Sequence, residues 1–250
     1  MNLENKVMVV SGGARDIGRE MVLKLAREGA RVVVNYFGSV EEARRTEEDV
    51  KALGGECVFL QGNMTDPEDV GRLIDAGISA FGDHIDGLVN VTGGLVARKT
   101  LAEMDDEFFS HVIRLNLNST FLLTKACVPY MSSGGSIVNL ASQAGRDGGG
   151  PGASAYAASK GAIMTFTRSM AKELGPQNIR VNALCPGVIS TTFHDTFSKD
   201  EVRKNIAAGT PLRREGLPAE VADIAAYLLS GESSFLTGVN LDTNGGLLFS

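Results

Sequence analysis

A tyrosine, a lysine and a serine in the second half of the chain have the types and spacing to move a proton on or off an oxygen. Tyr156 and Lys160 stand four apart in Tyr156-Ala157-Ala158-Ser159-Lys160. On a helix, positions i and i+4 share a face, so the phenol and the ammonium can point into one site. A free tyrosine, with a pKa of about 10, is a poor acid or base at neutral pH. A neighbouring ammonium favours the phenolate and lowers that pKa toward the working range. The hydroxyl of Ser142 could hold a carbonyl oxygen while the proton moves. The set suits carbonyl–alcohol interconversion and lacks only a source of hydride.

Something must hold these groups together, and the hydropathy pattern says what. Short apolar, β-rich runs at 7–10, 31–34, 57–61, 86–90, 136–141, 179–184 and 239–242 alternate with helical patterns. The first helix places Ile17, Met21, Val22, Leu25 and Ala26 on one face. Further helices are expected over 40–53, 105–131 (one long or kinked helix), 153–174 and 218–229. Asp66-Pro67-Glu68-Asp69 supplies an N-cap, a first-turn proline and acidic residues at another helix start. Uniformly apolar strands alternating with helices imply a parallel sheet covered on both faces. The expectation is a single-domain α/β fold, a Rossmann-type doubly wound sheet of about seven strands. No repeat, linker or composition break divides residues 1–250. Two irregular segments, 143–152 and 187–209, follow strand ends, where doubly wound folds place their ligands.

The turn after the first strand reads Ser11-Gly12-Gly13-Ala14-Arg15-Asp16-Ile17-Gly18. Backbone N–H groups and a helix N-terminus at such a turn can hold a pyrophosphate. A nucleoside triphosphatase loop would end in Gly-Lys-Ser/Thr, and none is present. Dinucleotide sites often carry an acidic residue at the end of the second strand to bind the adenosine ribose. Here Asn35 and Tyr36 occupy that place, and Arg15 can meet a 2′-phosphate, which favours NADP(H) over NAD(H). NAD(H) stays open because Asp16 can either cap the first helix and pair with Arg15 or Arg19, or repel a phosphate.

A chain of 250 residues with 43% apolar content can bury a large core. A net charge of −6, with no basic run, argues against a nucleic-acid partner. No apolar stretch approaches the roughly 18 residues of a membrane span. The N-terminus has no apolar signal core, and Cys57, Cys127 and Cys185 read as reduced core thiols of a cytoplasmic protein. His84, His111 and His194 are scattered, and none has convincing metal spacing with neighbours.

Taken in order, these residues resemble the short-chain dehydrogenase/reductase family over essentially the whole chain. The family's Thr-Gly-x-x-x-Gly-x-Gly is matched by residues 11–18, and its Asn-Asn-Ala-Gly by Asn90-Val91-Thr92-Gly93. Its helix asparagine matches Asn116, its serine Ser142, and its Tyr-x-x-x-Lys Tyr156 and Lys160. Pro-Gly-x-Ile-x-Thr is intact as Pro186-Gly187-Val188-Ile189-Ser190-Thr191. The resemblance implies that Tyr156 is the general acid in reduction and that Ser142 orients the carbonyl. Lys160 would bind the nicotinamide ribose and lower the Tyr156 pKa, and Asn116 would hold a water in a relay through Lys160. It also implies cofactor contacts from Gly12, Arg15, Asp16, Ile17, Gly18, Asn35 and Tyr36, and adenine contacts from Asn63 and Met64. Asn90 and Gly93 would lie along the cofactor, Pro186 and Gly187 would contact it, and Ile189 and Thr191 would lie by its carboxamide. A homotetramer or dimer joined through paired helices is implied as well, with Phe108, Phe121, Met164 and Phe166 as candidate contacts and an apolar tail over 245–250.

Three departures stand out: Asp16 replaces a glycine, Val91-Thr92 replaces Asn-Ala, and the Ser142–Tyr156 loop is about one residue longer than usual, which costs little. The partner is a small carbonyl or alcohol substrate, and the charged residues placed to meet it are Arg98, Lys99, Arg146, Asp147 and His194. An arginine within four residues of Ser142 suits a carboxylate. The strings 93–100 and 190–194 are also similar to keto-uronate reductases of polysaccharide breakdown. The alternatives are a 3-oxoacyl-thioester reductase and, from another class, a non-catalytic dinucleotide-binding sensor.

Overall fold

Strand β1 (Val7–Ser11) is buried throughout and sends alternate side chains to opposite faces of the sheet. Val7 and Val9 pack with Val70, Leu73 and Ile74 of α3 (Pro67–Phe81), whereas Met8 and Val10 pack with Met21, Val22 and Leu25 of α1 (Asp16–Arg27). That two-sided burial is why the strand reads as continuously apolar. The computed structural model describes residues 1–198 and 200–249. Lys199, inside the expected 187–209 loop, and Ser250, ending the expected tail, lie outside the described residues.

The other strands are β2 (Arg31–Tyr36), β3 (Cys57–Gln61), β4 (Ile85–Asn90), β5 (Met131–Leu140), β6 (Arg180–Pro186) and β7 (Asn240–Thr243). All seven pair in parallel in the order β3-β2-β1-β4-β5-β6-β7. The first face is completed by α2 (Val40–Ala52), through Val50, and α10 (Pro218–Leu229), through Val221, Ala222, Ala225 and Leu228. The second is completed by Leu123 and Cys127 of α5 (Ser119–Cys127) and by Ala171 and Leu174 of α7 (Ser154–Leu174). The direction of winding switches between β1 and β4, and a crevice opens there at the strands' carboxyl ends. Asp66 caps α3 as its sequence suggests, accepting from the Glu68 N–H at 3.0 Å.

The expected helix over 105–131 is not one helix. It divides into α4 (Asp106–Ile113), a π turn at Arg114–Asn118, and α5. Thr120 and Ser119 donate their hydroxyls back to the Asn116 carbonyl, which helps open the ladder there. Pro129 then lies in a short 3₁₀ turn, and β5 starts at Met131, five residues before the expected 136. The two irregular segments also carry helices: α6 (Ala144–Asp147) in the first, and α8 (Thr192–Phe197) and α9 (Asp200–Gly209) in the second. No described helix is long and apolar enough to cross a membrane.

Candidate active site

The carboxyl end of β5 delivers Ser142, and α7 delivers Tyr156 and Lys160 one turn apart. The Ser142 hydroxyl hydrogen-bonds the Tyr156 phenol and also accepts from the Ala144 N–H at 3.1 Å. Lys160 is buried; its Nζ donates to the Leu140 carbonyl at 2.6 Å and lies 5.7 Å from the centre of the Tyr156 ring. Its own burial pulls Lys160 down to about 8. Burial raises the Tyr156 pKa, and the Ser142 hydrogen bond only partly opposes that rise. The expected lowering is therefore corrected: desolvation is the largest influence, and the phenol stays protonated at neutral pH. A protonated phenol hydrogen-bonded to a serine can donate a proton to an oxygen placed between them.

The charge on Lys160 sets a pH dependence. An ammonium stabilises the anion that Tyr156 becomes on losing its proton, and rising pH removes that ammonium near 8. Reductive turnover at saturating substrate is expected to fall as pH climbs through about 8. A kcat–pH profile flat beyond that point would show that Lys160 exerts no electrostatic effect.

Asn116 sits in the π turn. Its Nδ2 donates to the carbonyls of Val112 and Gly94, both at 2.9 Å, and its Oδ1 accepts from the Gly94 N–H at 3.0 Å. A Cβ on Gly93 would come within 2.4 Å of Asn116 Oδ1 and 3.3 Å of Lys160 Nζ. Only glycine lets the 93–94 loop, Asn116 and Lys160 meet. The π turn thus docks the loop, and the asparagine side chain is spent on that docking.

A cleft of about 1930 Å³ runs from the glycine turn past Tyr156 to α9. It suits a dinucleotide on several counts. Gly12 has φ +67°, and a Cβ on Gly18 would lie 2.0 Å from the Gly12 carbonyl oxygen. No side chain caps α1, so its first-turn N–H groups face the cleft free for an anion. Arg15, Asp16, Ile17, Asn35, Tyr36, Asn63, Met64, Gly93, Pro186, Gly187, Ile189 and Thr191 also line it. Asn35 is buried, donating to the Gly62 carbonyl at 2.8 Å and accepting from the Gly12 N–H at 3.4 Å. Asp16 does not cap α1. Its carboxylate accepts from the backbone N–H and the hydroxyl of Thr192, at 3.0 and 2.5 Å.

Two expected site residues lie elsewhere. Asn90 projects beneath the sheet, where its Nδ2 donates to Asn139 Oδ1 at 2.8 Å and to Thr124 Oγ1 at 3.2 Å. Strand alternation aims it toward α5 and α7 and away from the cleft. Arg146 is not a substrate anchor: its Nε donates to Asp242 Oδ1 at 2.6 Å and its Nη2 to the Asn240 carbonyl. The short helix α6 turns it onto β7. Arg98 and His194 do line the cleft. Arg98 bridges the two substrate segments, donating to the Pro151 and Phe197 carbonyls at 2.9 and 3.0 Å. His194 is partly buried, and desolvation lowers its pKa and leaves it neutral at pH 7.

Sequence reasoning missed two neighbours of the reaction centre. Phe193 stands 5.9 Å from the Tyr156 ring. Gln143 donates to Asp147 Oδ2 at 2.9 Å, while its Oε1 is buried without a partner beside Gly187. Gln143 is adjacent to Ser142 and Phe193 lies two residues beyond Thr191, the one signal that could have found them.

A family model described as Enoyl-(Acyl carrier protein) reductase matches residues 12–248. The short chain dehydrogenase mdpC of Emericella nidulans is 34% identical over 98% of this chain and 96% of its own. The chain is a short-chain dehydrogenase/reductase. It is accordingly an NAD(P)-dependent oxidoreductase of the CH–OH/C=O type. The 3-oxoacyl-[acyl-carrier-protein] reductase FabG of Staphylococcus aureus is 36% identical over 97% of this chain and 98% of its own. Among solved structures, an NADH-dependent reductase responsible for alginate metabolism superposes with a TM-score of 0.90 at 30% identity, covering 99% of both chains. This short-chain dehydrogenase/reductase departs from the family's glycine pattern at Asp16, whose φ of +52° shows why glycine is the usual residue there.

Proposed function

We propose that this short-chain dehydrogenase/reductase uses NADPH to reduce the ketone of a hydroxylated keto acid, a keto-uronate in kind. The bound dinucleotide supplies the hydride. Tyr156 donates its proton to the carbonyl oxygen, Ser142 holds that oxygen, and Lys160 stabilises the phenolate left behind. Asn116 positions the 93–94 loop against Lys160. NADPH is favoured because β2 ends in Asn35 and Tyr36 without a carboxylate, and because Arg15 lines the same cleft and has guanidinium N–H groups beyond the one that bonds Thr192 to offer a 2′-phosphate.

The observation that carries the substrate class is the buried, unpartnered Oε1 of Gln143, next in sequence to Ser142. A buried acceptor without a donor is costly, and a small shift of Gln143, which lines the cleft, would let a substrate hydroxyl satisfy it. Arg98 takes over the anchoring part expected of Arg146: two of its guanidinium N–H groups hold backbone carbonyls, and a guanidinium has five. The likeness to the alginate-metabolism reductase supports this choice. A second reading, a 3-oxoacyl-thioester reductase, draws on Phe193, Leu95, Val202, Ile206 and Leu248, which give the cleft an apolar wall. Self-association through α5 and α7 belongs to the same proposal, since Phe121 is 44% exposed and packs edge-on against Phe166.

A coupled NADPH and NADH oxidation assay against keto-uronates, acetoacetyl thioesters and simple ketones tests the assignment. The keto acid is expected to turn over fastest, and Arg98→Ala to raise its KM by about tenfold or more, as loss of a charge-assisted pair implies. Arg146→Ala should lower the melting temperature and leave substrate preference unchanged. Preference for the acetoacetyl thioester, indifferent to Arg98→Ala, would establish the second reading instead.

A further inference from the structure

The glycine turn and the segment after β6 lie 176 residues apart in sequence and are fastened together at the mouth of the cleft. Asp16 Oδ1 accepts from the Thr192 N–H at 3.0 Å, and Oδ2 accepts from the Thr192 hydroxyl at 2.5 Å. Arg15 Nη1 donates to the same hydroxyl oxygen at 2.5 Å. Thr191, at the N-cap of α8, makes no capping bond with its own side chain. A carboxylate on another element therefore caps that helix. The far end of α8 is held too, by Arg98 on the Phe197 carbonyl. Between these two fastenings Phe193 faces the Tyr156 ring.

The local backbone makes the choice of residue informative. Asp16 has φ +52°, a conformation that glycine adopts freely and aspartate only at a cost. The chain thus keeps a carboxylate at a position that favours none, and among the described residues its hydrogen bonds go to Thr192.

We propose that Asp16 is a positioning residue that clasps α8 over the cleft, setting Thr191 and Phe193 against the reaction centre and holding the dinucleotide in until the clasp opens. This rests on the cleft's binding NADPH or NADH. It also answers how a carboxylate can sit beside a pyrophosphate site: its lone pairs are engaged by Thr192, and a guanidinium lies 3.7 Å away.

The test uses Asp16→Gly, Asp16→Asn and Thr192→Val in the full chain, with three readouts. They are the melting temperature, the rate of proteolytic cleavage within 192–209 without cofactor, and the NADPH dissociation rate by stopped-flow fluorescence. Asp16→Gly relieves the positive φ, so its melting temperature should match or exceed the wild type. Its cleavage and its NADPH release should each be about tenfold faster, the loss of a cap. Asp16→Asn, which tolerates the backbone and keeps one acceptor, should recover most of the effect, and Thr192→Val should reproduce part of it. Cleavage and release rates equal to wild type in Asp16→Gly overturn the clasp. So does tighter NADPH binding by Asp16→Gly, which would mean that the carboxylate acts by repelling phosphate. If the wild type binds neither NADPH nor NADH, the underlying function fails, while the cleavage comparison still reports on the clasp.

Discussion

Replacing Tyr156 with phenylalanine is expected to lower ketone reduction by at least about 10²–10⁴-fold, the contribution usual for a positioned general acid. NADPH affinity should stay close to wild type. The argument rests on how little else changes. The aromatic ring keeps its place 5.9 Å from Phe193, and Ser142 keeps the Ala144 N–H as a partner. Lys160 keeps its 2.6 Å bond to the Leu140 carbonyl, so the cofactor side of the site is undisturbed. What disappears is the phenol proton that desolvation retains beside the Ser142 hydroxyl. Steady-state kinetics with a fluorescence titration of NADPH separates the two effects. Substantial residual turnover would remove Tyr156 from its role.

The second large effect is expected at Gly18. An added Cβ would sit 2.0 Å from the Gly12 carbonyl oxygen, 2.9 Å from its carbon and 3.1 Å from the Gly13 Cα. All three are backbone atoms, so no flexible side chain can swing aside. Gly18→Ala must push the glycine turn away from the N-terminus of α1, the two parts that together would cradle a pyrophosphate. We expect a stability loss of about 1–3 kcal/mol, as for overpacking elsewhere, and NADPH binding weaker by at least about a hundredfold. Thermal melts and NADPH titration of the same preparation check both numbers. Affinity within about twofold of wild type would mean that the turn is not the phosphate site.

The parts of this molecule visible in its sequence are those set by local rules. Two-sided burial makes the strands apolar, and the i, i+4 spacing brings Tyr156 and Lys160 to one face of α7. What sequence could not show depends on contacts between distant segments. Arg146 looks like an anchor because it follows Ser142 closely, yet its partner Asp242 lies 96 residues on. Asn90 belongs to a recognisable motif, but strand parity sends its side chain under the sheet. The π turn at Asn116 shows itself only through the hydroxyls of Ser119 and Thr120 bonding backward. Asp16 offered local explanations, capping α1, pairing with Arg15 or Arg19, or repelling phosphate; Arg15 does lie 3.7 Å away, but the hydrogen-bond partner, Thr192, is at the far side of the cleft. The direction of the Tyr156 shift was equally hidden. A nearby ammonium is legible in the sequence, whereas the desolvation of the phenol is a property of the fold.

Single-turnover mixing of the purified protein and NADPH with the ketone panel bears most directly on the whole assignment. Stoichiometric NADPH consumption with formation of the matching alcohol, fastest for the keto acid, is the expected result. Tight NADPH binding with no oxidation by any ketone would contradict it and leave a dinucleotide sensor in its place.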